Sequence, residues 1–298
     1  MDHSIDSILV PTDGSDGAEP GIRHGIGLAA DVGADLHTLS VVDSVEINPS
    51  LSRVEDDSDP KGLFEARATR AADAVEELAR SHLDGAVTTA VEWGRPFRSI
   101  TEYATTNDID LIVMGTHGRS GLKRLVLGSV AEKVLRTTSI PVMLVPPQAA
   151  IDGVDIEYSE ILLPTDGSEA AETAVDWGVT LADLYDGSVH TIYSVDTARF
   201  AGEGEMMTLY DALEQTGEDA LNAVRQRARE AGISVTAELG TGPPARVIRS
   251  YSADHDVDLI VMGTHGRSGV ERYLIGSVTE SVVRHAKVPV CCVPMEQV

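Results

Sequence analysis

The sequence predicts an α/β protein built from two doubly wound domains in tandem, each with a parallel sheet. Three observations predict it. "PTDGS" occurs at 11–15 and returns at 164–168, "DLIVMGTHGRSG" occurs at 110–121 and returns at 258–269, and short apolar runs alternate with amphipathic stretches between these blocks. Two identical blocks in the same order, at shifts of 153 and 148 residues, mark a duplication whose length difference is absorbed in loops. Repeats of about 145 residues match ordinary domain size rather than a solenoid.

In the first half "SILVP" reads as a buried strand, residues 17–32 as a helix and "HTLSVVD" as a second strand. A long helix over 61–82 carries apolar Leu63, Phe64, Ala68, Ala71, Ala72, Val75 and Leu78 at helical spacing. "VTTAVEW" alternates as a strand does, a helix follows Pro96, "DLIVMG" is a continuous apolar strand, and a helix over 129–138 leads to "IPVMLVP". The second half repeats the series: "EILLPTD", helix 169–185, "SVHTIYSVD", helix 205–231, "ISVTAEL", a helix after Pro243 and Pro244, "DLIVMG", helix 277–286 and "VPVCCVP". Strands separated by helices make a parallel sheet covered on both faces. Apolar periodicity lapses over 146–158, "PPQAAIDGVDIEY", which gives domains 1–148 and 157–298.

Composition narrows the function. A net charge of −25 repels polyanions and argues against binding DNA, RNA or anionic lipid. Only four lysines (Lys61, Lys123, Lys133 and Lys287) accompany this excess of acid, a balance suited to a solvated acidic shell in concentrated salt, where the Debye length is about 3 Å at 1 M. No apolar run is long enough to span a membrane, and the start "MDHSIDSILVPTDGS" lacks the basic and apolar regions of a secretory signal, so the protein is expected in the cytoplasm. Cys291 and Cys292 are neighbours in a strand and face opposite ways, which predicts core thiols rather than a disulfide or metal pair.

Open parallel sheets bind ligands at the carboxyl ends of their strands, where both repeated blocks lie. Gly115 and Gly118 follow the strand end, where a missing Cβ allows positive φ and lets backbone N–H groups approach a ligand. Gly128 and Ser129 then begin a helix whose free N–H groups and dipole favour an anion. Ser129 with Glu132, and Ser277 with Glu280, also fit a capping box, a competing use for each hydroxyl. Between Gly115 and Ala131 stand Arg119, Lys123 and Arg124 with no carboxylate, whereas Glu271 takes the place of Lys123 in the second loop beside Arg267 and Arg272. The first site is therefore expected to hold polyphosphate more tightly. Walker A and dinucleotide fingerprints are both absent, as are the "HIGH" and "SGG-x-[DS]" loops of adenylyl-transfer enzymes.

The pattern G-x-x-G, nine residues, then G-[ST], after an apolar strand, resembles the ATP-binding signature of universal stress proteins. Gly115, Gly118, Gly128 and Ser129 match it in the first half, and Gly263, Gly266, Gly276 and Ser277 in the second. The resemblance implies a Rossmann-like, adenine nucleotide alpha hydrolase-like domain twice over, each with a five-stranded parallel sheet in the order 3-2-1-4-5. It places Pro11, Thr12, Asp13 and Val41 about the adenosine, Met114 and Gly115 by the ribose, and Gly118, Arg119, Gly128, Ser129 and Val130 around the phosphates. The matching positions are Pro164, Thr165, Asp166, Val195, Met262, Gly263, Gly266, Arg267, Gly276, Ser277 and Val278, with His117 and His265 as loop residues beside the ligand. It further implies an intrachain pseudo-dimer of "IPVMLVP" against "VPVCCVP", with pairing of two chains compatible with it.

Two functions follow. One is an ATP-, ADP- or AMP-binding stress-response regulator with slow or no turnover, acting on a protein partner. The other is a slow ATPase or phosphotransferase, in which Asp13 and Asp166 help to hold Mg²⁺. The first is preferred, because no second acidic or Gln residue is tied by spacing to the phosphate loop.

Overall fold

Every connection between neighbouring strands is a helix, so each sheet is parallel throughout. A computed structural model describes residues 4–44, 60–118, 127–196, 206–266 and 275–295, which divide into two units, the first over Ile5–Ile156 and the second from Glu157 onward. The first contains β1 (Ser7–Thr12), α1 (Glu19–Val32), β2 (Asp35–Asp43), α2 (Pro60–Arg80), β3 (Val87–Gly94), α3 (Pro96–Thr106), β4 (Leu111–Gly115), α4 (Ser129–Thr137) and β5 (Val142–Val145). The second contains β6 (Glu160–Pro164), α5 (Glu169–Leu184), β7 (Ser188–Val195), α6 (Met206–Glu230), β8 (Val235–Thr241), α7 (Pro244–Asp254), β9 (Leu259–Gly263), α8 (Ser277–His285) and β10 (Val290–Val293).

The strand order is β3-β2-β1-β4-β5 in the first unit and β8-β7-β6-β9-β10 in the second, the expected 3-2-1-4-5 twice. The chain steps outward from β1 through β2 to β3, then crosses to β4. With right-handed crossovers, α1 and α2 cover one face while α3 and α4 cover the other. The central strands need no polar face: Ile8, Leu9 and Val10 of β1 and Leu111, Ile112 and Val113 of β4 are all fully buried, as are Ile161, Leu162 and Leu163 of β6. A carboxylate pins the start of each central pair. Asp110 Oδ2 accepts the amides of Asp6 and Ser7 at 2.9 Å, and Asp258 Oδ2 accepts those of Ser159 and Glu160 at 3.0 and 3.1 Å.

The connector after β5 belongs to the first unit up to Ile156, eight residues beyond the expected end at 148. A short 3₁₀ turn, Pro147–Ala149, opens it, and side chains of α1 hold it down. His24 Nε2 donates to Ala149 O at 2.8 Å, Arg23 Nη1 donates to Gly153 O at 3.2 Å, and Val154 is buried. Two of these contacts are made to backbone carbonyls, which leave no side-chain pattern in the sequence.

Candidate functional site

At the point where the strand order reverses, β1 and β4 end side by side and their loops diverge. The opening between them is a cavity of about 230 Å³, lined by Pro11, Thr12 and Asp13 after β1 and by Met114, Gly115, Thr116, His117 and Gly118 after β4. Gly128, Ser129, Val130 and Ala131 close it from α4. Leu39, Val41 and Asp43 reach it from alternate positions of β2, and Pro96 and Ile100 from α3.

The turn after β1 is held by its own side chains. Thr12 Oγ1 accepts the amide of Gly14 at 3.1 Å, and Asp13 Oδ1 accepts from the Ser15 amide at 3.0 Å and its hydroxyl at 2.5 Å. Gly14 has φ 69°, a left-handed conformation that a side chain would strain. These bonds use Oδ1 of Asp13 and turn Oδ2 toward the facing loop, where a Cβ added to Gly118 would stand 2.8 Å from it. A side chain at Gly118 would have to displace this carboxylate oxygen.

The facing loop is built as tightly. A Cβ on Gly115 would meet Gly17 O at 2.1 Å, so the ends of β4 and the approach to α1 touch through backbone alone. Gly128 donates to Thr116 O at 2.8 Å and caps α4 without any side-chain hydrogen bond. Ser129 is then the first helical residue, and the capping-box reading is corrected: Glu132 pairs with Arg136 at 3.0 Å, and its amide goes to Gly128 O. The amides of the first turn therefore face the cavity with no side-chain cap over them. The Thr116 hydroxyl meets His117 Nδ1 at 2.9 Å, while His117 Nε2 is buried and finds no hydrogen-bond partner among the described residues. Such a buried atom is costly unless something in the cavity satisfies it.

The second unit repeats the contacts of both loops. Thr165 accepts from Gly167 at 3.1 Å, Asp166 Oδ1 accepts from Ser168, and a Cβ on Gly266 would lie 2.7 Å from Asp166 Oδ2. Gly276 donates to Thr264 O at 2.8 Å and caps α8, placing Ser277 and Val278 in its first turn, and Glu280 pairs with Arg284. Thr264 meets His265 Nδ1 at 2.9 Å, and His265 Nε2 is buried without a partner among the described residues. Pro164, Met262 and Gly263 end β6 and β9 as Pro11, Met114 and Gly115 end their strands.

Some expectations need correction. Among the described glycines with positive φ are Gly14 and Gly167, whereas Gly115 and Gly118 are not, so the motif glycines serve contact rather than an unusual backbone. Val195 is displaced by one register position. β2 pairs Val41 with Glu92, and β7 pairs Ser194 with Gly240, which makes Ser194 the counterpart of Val41. Val195 instead lies in the core with Tyr193, Ala220 and Leu221, because neighbours in a strand face opposite sides. The Ser194 hydroxyl donates to Gly242 O at 2.6 Å. Arg119, Lys123, Arg124, Arg267, Glu271 and Arg272 lie outside the described residues, as does most of the acidic stretch 43–60. Leu39, Asp43, Pro96, Ile100 and Thr116 were not anticipated; the alternation 39, 41, 43 from Val41 was the available signal for two of them.

The model of the universal stress protein family matches residues 4–146 and again residues 157–294. The chain belongs to the universal stress protein family. A universal stress protein of Methanocaldococcus jannaschii is 38% identical over 139 residues, 46% of this chain and 82% of that one, so it corresponds to one repeat. A crystal structure of a universal stress protein from Archaeoglobus fulgidus aligns with 97% of this chain and 98% of its own at a TM-score of 0.70 and 21% identity. A functionally unknown protein from Pseudomonas aeruginosa aligns over 98% and 94% at 0.68 and 19%. These two likenesses show the fold. As a tandem universal stress protein the chain carries the family's domain twice. No helix among the described residues is long and apolar enough to cross a membrane.

Proposed function

We propose that each repeat binds an adenine nucleotide, ATP or else ADP or AMP, and that the protein is a nucleotide-responsive regulator with slow or no hydrolysis. The observation that carries this reading is the cavity in which uncapped first-turn amides of α4, the buried Nε2 of His117 and the Asp13 carboxylate converge. Those amides suit phosphate oxygens, and Leu39, Val41 and Ile100 offer an apolar wall to a flat base. Asp13 in the first repeat and Asp166 in the second are the carboxylates that would share a Mg²⁺ with the nucleotide. Among the described residues no group of three or more His, Cys, Asp or Glu side chains could hold a metal. Mg²⁺ held there would share that carboxylate with phosphates and water, as the ion commonly does.

Binding is favoured over catalysis because Asp43, the further carboxylate in the cavity wall, sits at the end of β2 beside Val41, on the side given to the base rather than at the mouth of α4. The intrachain pairing of the last strand of each repeat, an acidic shell adapted to high salt, and a cytoplasmic location belong to the same proposal. The first site is expected to bind the more tightly, since Lys123 faces a role that Glu271 reverses in the second.

Mass spectrometry of small molecules released from freshly purified, denatured protein is the direct test, followed by calorimetric titration with ATP, ADP and AMP at low and high salt. Released adenine nucleotide and saturable heat are expected. No nucleotide and no heat at any salinity would overturn the reading, and steady turnover abolished by Asp13→Ala would transfer it to the ATPase.

A further inference from the structure

At the end of the second sheet opposite the nucleotide site, four side chains from three elements form one hydrogen-bonded chain. The Ser188 hydroxyl donates to Glu160 Oε2 at 2.5 Å, and the same oxygen lies 2.5 Å from His190 Nε2. His190 Nδ1 lies 2.9 Å from the Tyr251 hydroxyl. His255, at the C-cap of α7, stacks on the Tyr251 ring with centroids 3.9 Å apart and donates from Nδ1 to Tyr251 O at 3.0 Å. Tyr251 is buried, yet it lines, with His255, Asp254, Glu238 and Arg246, an open groove of about 480 Å³ between α7 and β8.

The duplication supplies an internal control. In the first repeat the His and Tyr recur, with His37 Nδ1 2.9 Å from the Tyr103 hydroxyl, so this pair belongs to the fold. Asp110 and Arg98 stand for Asp258 and Arg246, and Asp35 and Glu92 act on the first pair, but four ionisable groups of the second repeat do not recur. At the shifts of 153 and 148 residues, Ser7 stands for Glu160, Ala90 for Glu238, Thr106 for Asp254 and Asn107 for His255. Asn107 performs the structural part of His255, donating from Nδ2 to Tyr103 O at 2.8 Å. The fold therefore forms without the four titratable groups that the second repeat has added.

We propose that the second repeat carries a proton-responsive switch, absent from the first, in which protonation of His190 reverses the hydroxyl of Tyr251. In the neutral state His190 donates from Nε2 to Glu160, and Tyr251 donates its hydroxyl proton to Nδ1. A proton added to Nδ1 makes that nitrogen a donor. The Tyr251 oxygen becomes the acceptor, and its own proton turns to another acceptor. The imidazolium then faces the Glu160 carboxylate, whose proton affinity is already lowered chiefly by the Ser188 hydroxyl. Most of the other charged groups around the cluster are carboxylates, and the His255 ring, 5.8 Å from that of His190, is the further titratable group beside it. Glu160 and Glu157, ahead of β6, both act electrostatically on Asp258, ahead of β9, and Glu238 of β8 and Glu160 act on Tyr251. Arg246 is the opposing charge in the groove. In the first repeat, burial lowers the proton affinity of His37 and is only partly opposed by Asp35, whose Oδ1 accepts the amide of Ala86, while Ser7 stands where Glu160 meets His190. The switch is carried by α7, whose Pro244 and Ile248 correspond to the cavity-lining Pro96 and Ile100.

The test follows the ring signals of Tyr251 and Tyr103 by NMR in the full chain labelled at tyrosine, from pH 8 to pH 5. Tyr251 is expected to move through a one-proton transition while Tyr103 stays flat or moves at lower pH. Glu160→Ser, which installs the first repeat's residue, should displace the Tyr251 midpoint toward acid, because it removes the carboxylate that faces the imidazolium. Glu160→Gln preserves the shape of the site and should do the same if the serine variant folds poorly, and His190→Gln should abolish the transition. A Tyr251 signal that is flat over this range, one that shares its midpoint with Tyr103, or one indifferent to both Glu160 variants would overturn the proposal.

Discussion

The two repeats share a site and differ around it, and the pattern of difference separates what the fold needs from what each copy has made of it. Asp13 and Asp166, Gly118 and Gly266, and the buried Nε2 atoms of His117 and His265 occupy equivalent geometry. Away from the site the copies diverge. His24, buried in α1, corresponds to Trp177 in α5, and Ser40 under α2 corresponds to Tyr193 under α6. Thr38 and Ser40 are fully buried in the first repeat without a hydrogen-bond partner among the described residues. Thr191, the counterpart of Thr38, instead donates to Leu163 O at 2.8 Å. The first repeat thus contains more buried polarity, and the second has replaced it with ring packing and a satisfied hydroxyl.

The largest expected effect bears on the equivalence of the sites. Gly118→Val should remove nucleotide binding at the first repeat and leave the second intact, and Gly266→Val should do the reverse, because either side chain must displace the facing carboxylate. Calorimetric stoichiometry should fall by half in each variant and to nothing in the double variant. Unchanged stoichiometry would mean that the glycines do not border the ligand.

Next in size is the response to acid. Burial depresses the pKa of both His24 and His37 below the ordinary value of 6.5, with weaker opposing effects from Ala149 O and Asp35 respectively. The unfolded chain takes up protons that the folded first repeat resists. This stability is fully present above about pH 6.5 and is lost as the pH falls from there through the folded values. Hydrogen exchange at pH 7.5 and pH 5.5 should show α1 and β2 opening before α5 and β7, and His24→Gln should narrow the gap. Earlier opening of the second repeat would reverse the comparison.

A smaller, paired effect concerns the hydroxyls. Thr38→Val should be neutral or stabilise the first repeat by up to ~1 kcal/mol, since it removes an unsatisfied polar atom, whereas Thr191→Val should cost about 1 kcal/mol by losing a bond that is made. Urea unfolding followed by probes in each repeat checks the sign of both. The least effect belongs to the thiols. Burial pushes Cys291 up to about 12 and Cys292 well above its usual range, so neither should react with a thiol reagent in native protein at pH 8, and both should after denaturation.

Much of this was legible in the residues. The repeated blocks, the alternation of "LIVM" strands with amphipathic helices and the G-x-x-G spacing are local patterns, and the ends of β1 and β4 appear where they place them, while the strand order follows the one that the family resemblance implies. Every described residue assigned to the first site lines one cavity. The failures were of register and partner. Val195 looked equivalent to Val41 by its place near a strand end, but a slip of one residue turns a side chain to the other face. Ser129 looked like a cap, but the preceding glycine takes that position once it donates to Thr116 O.

By itself the sequence determined the duplication, the alternating parallel architecture and the small residues that let two loops touch, because these follow from periodicity and the size of single side chains. Only the tertiary structure decided that Asp43, Leu39 and Ile100 complete the cavity, that the connector lies on α1, and that Glu160, His190 and Tyr251 form one chain. Those groups are far apart along the chain, and hydrogen bonds and burial depend on distances that packing alone sets.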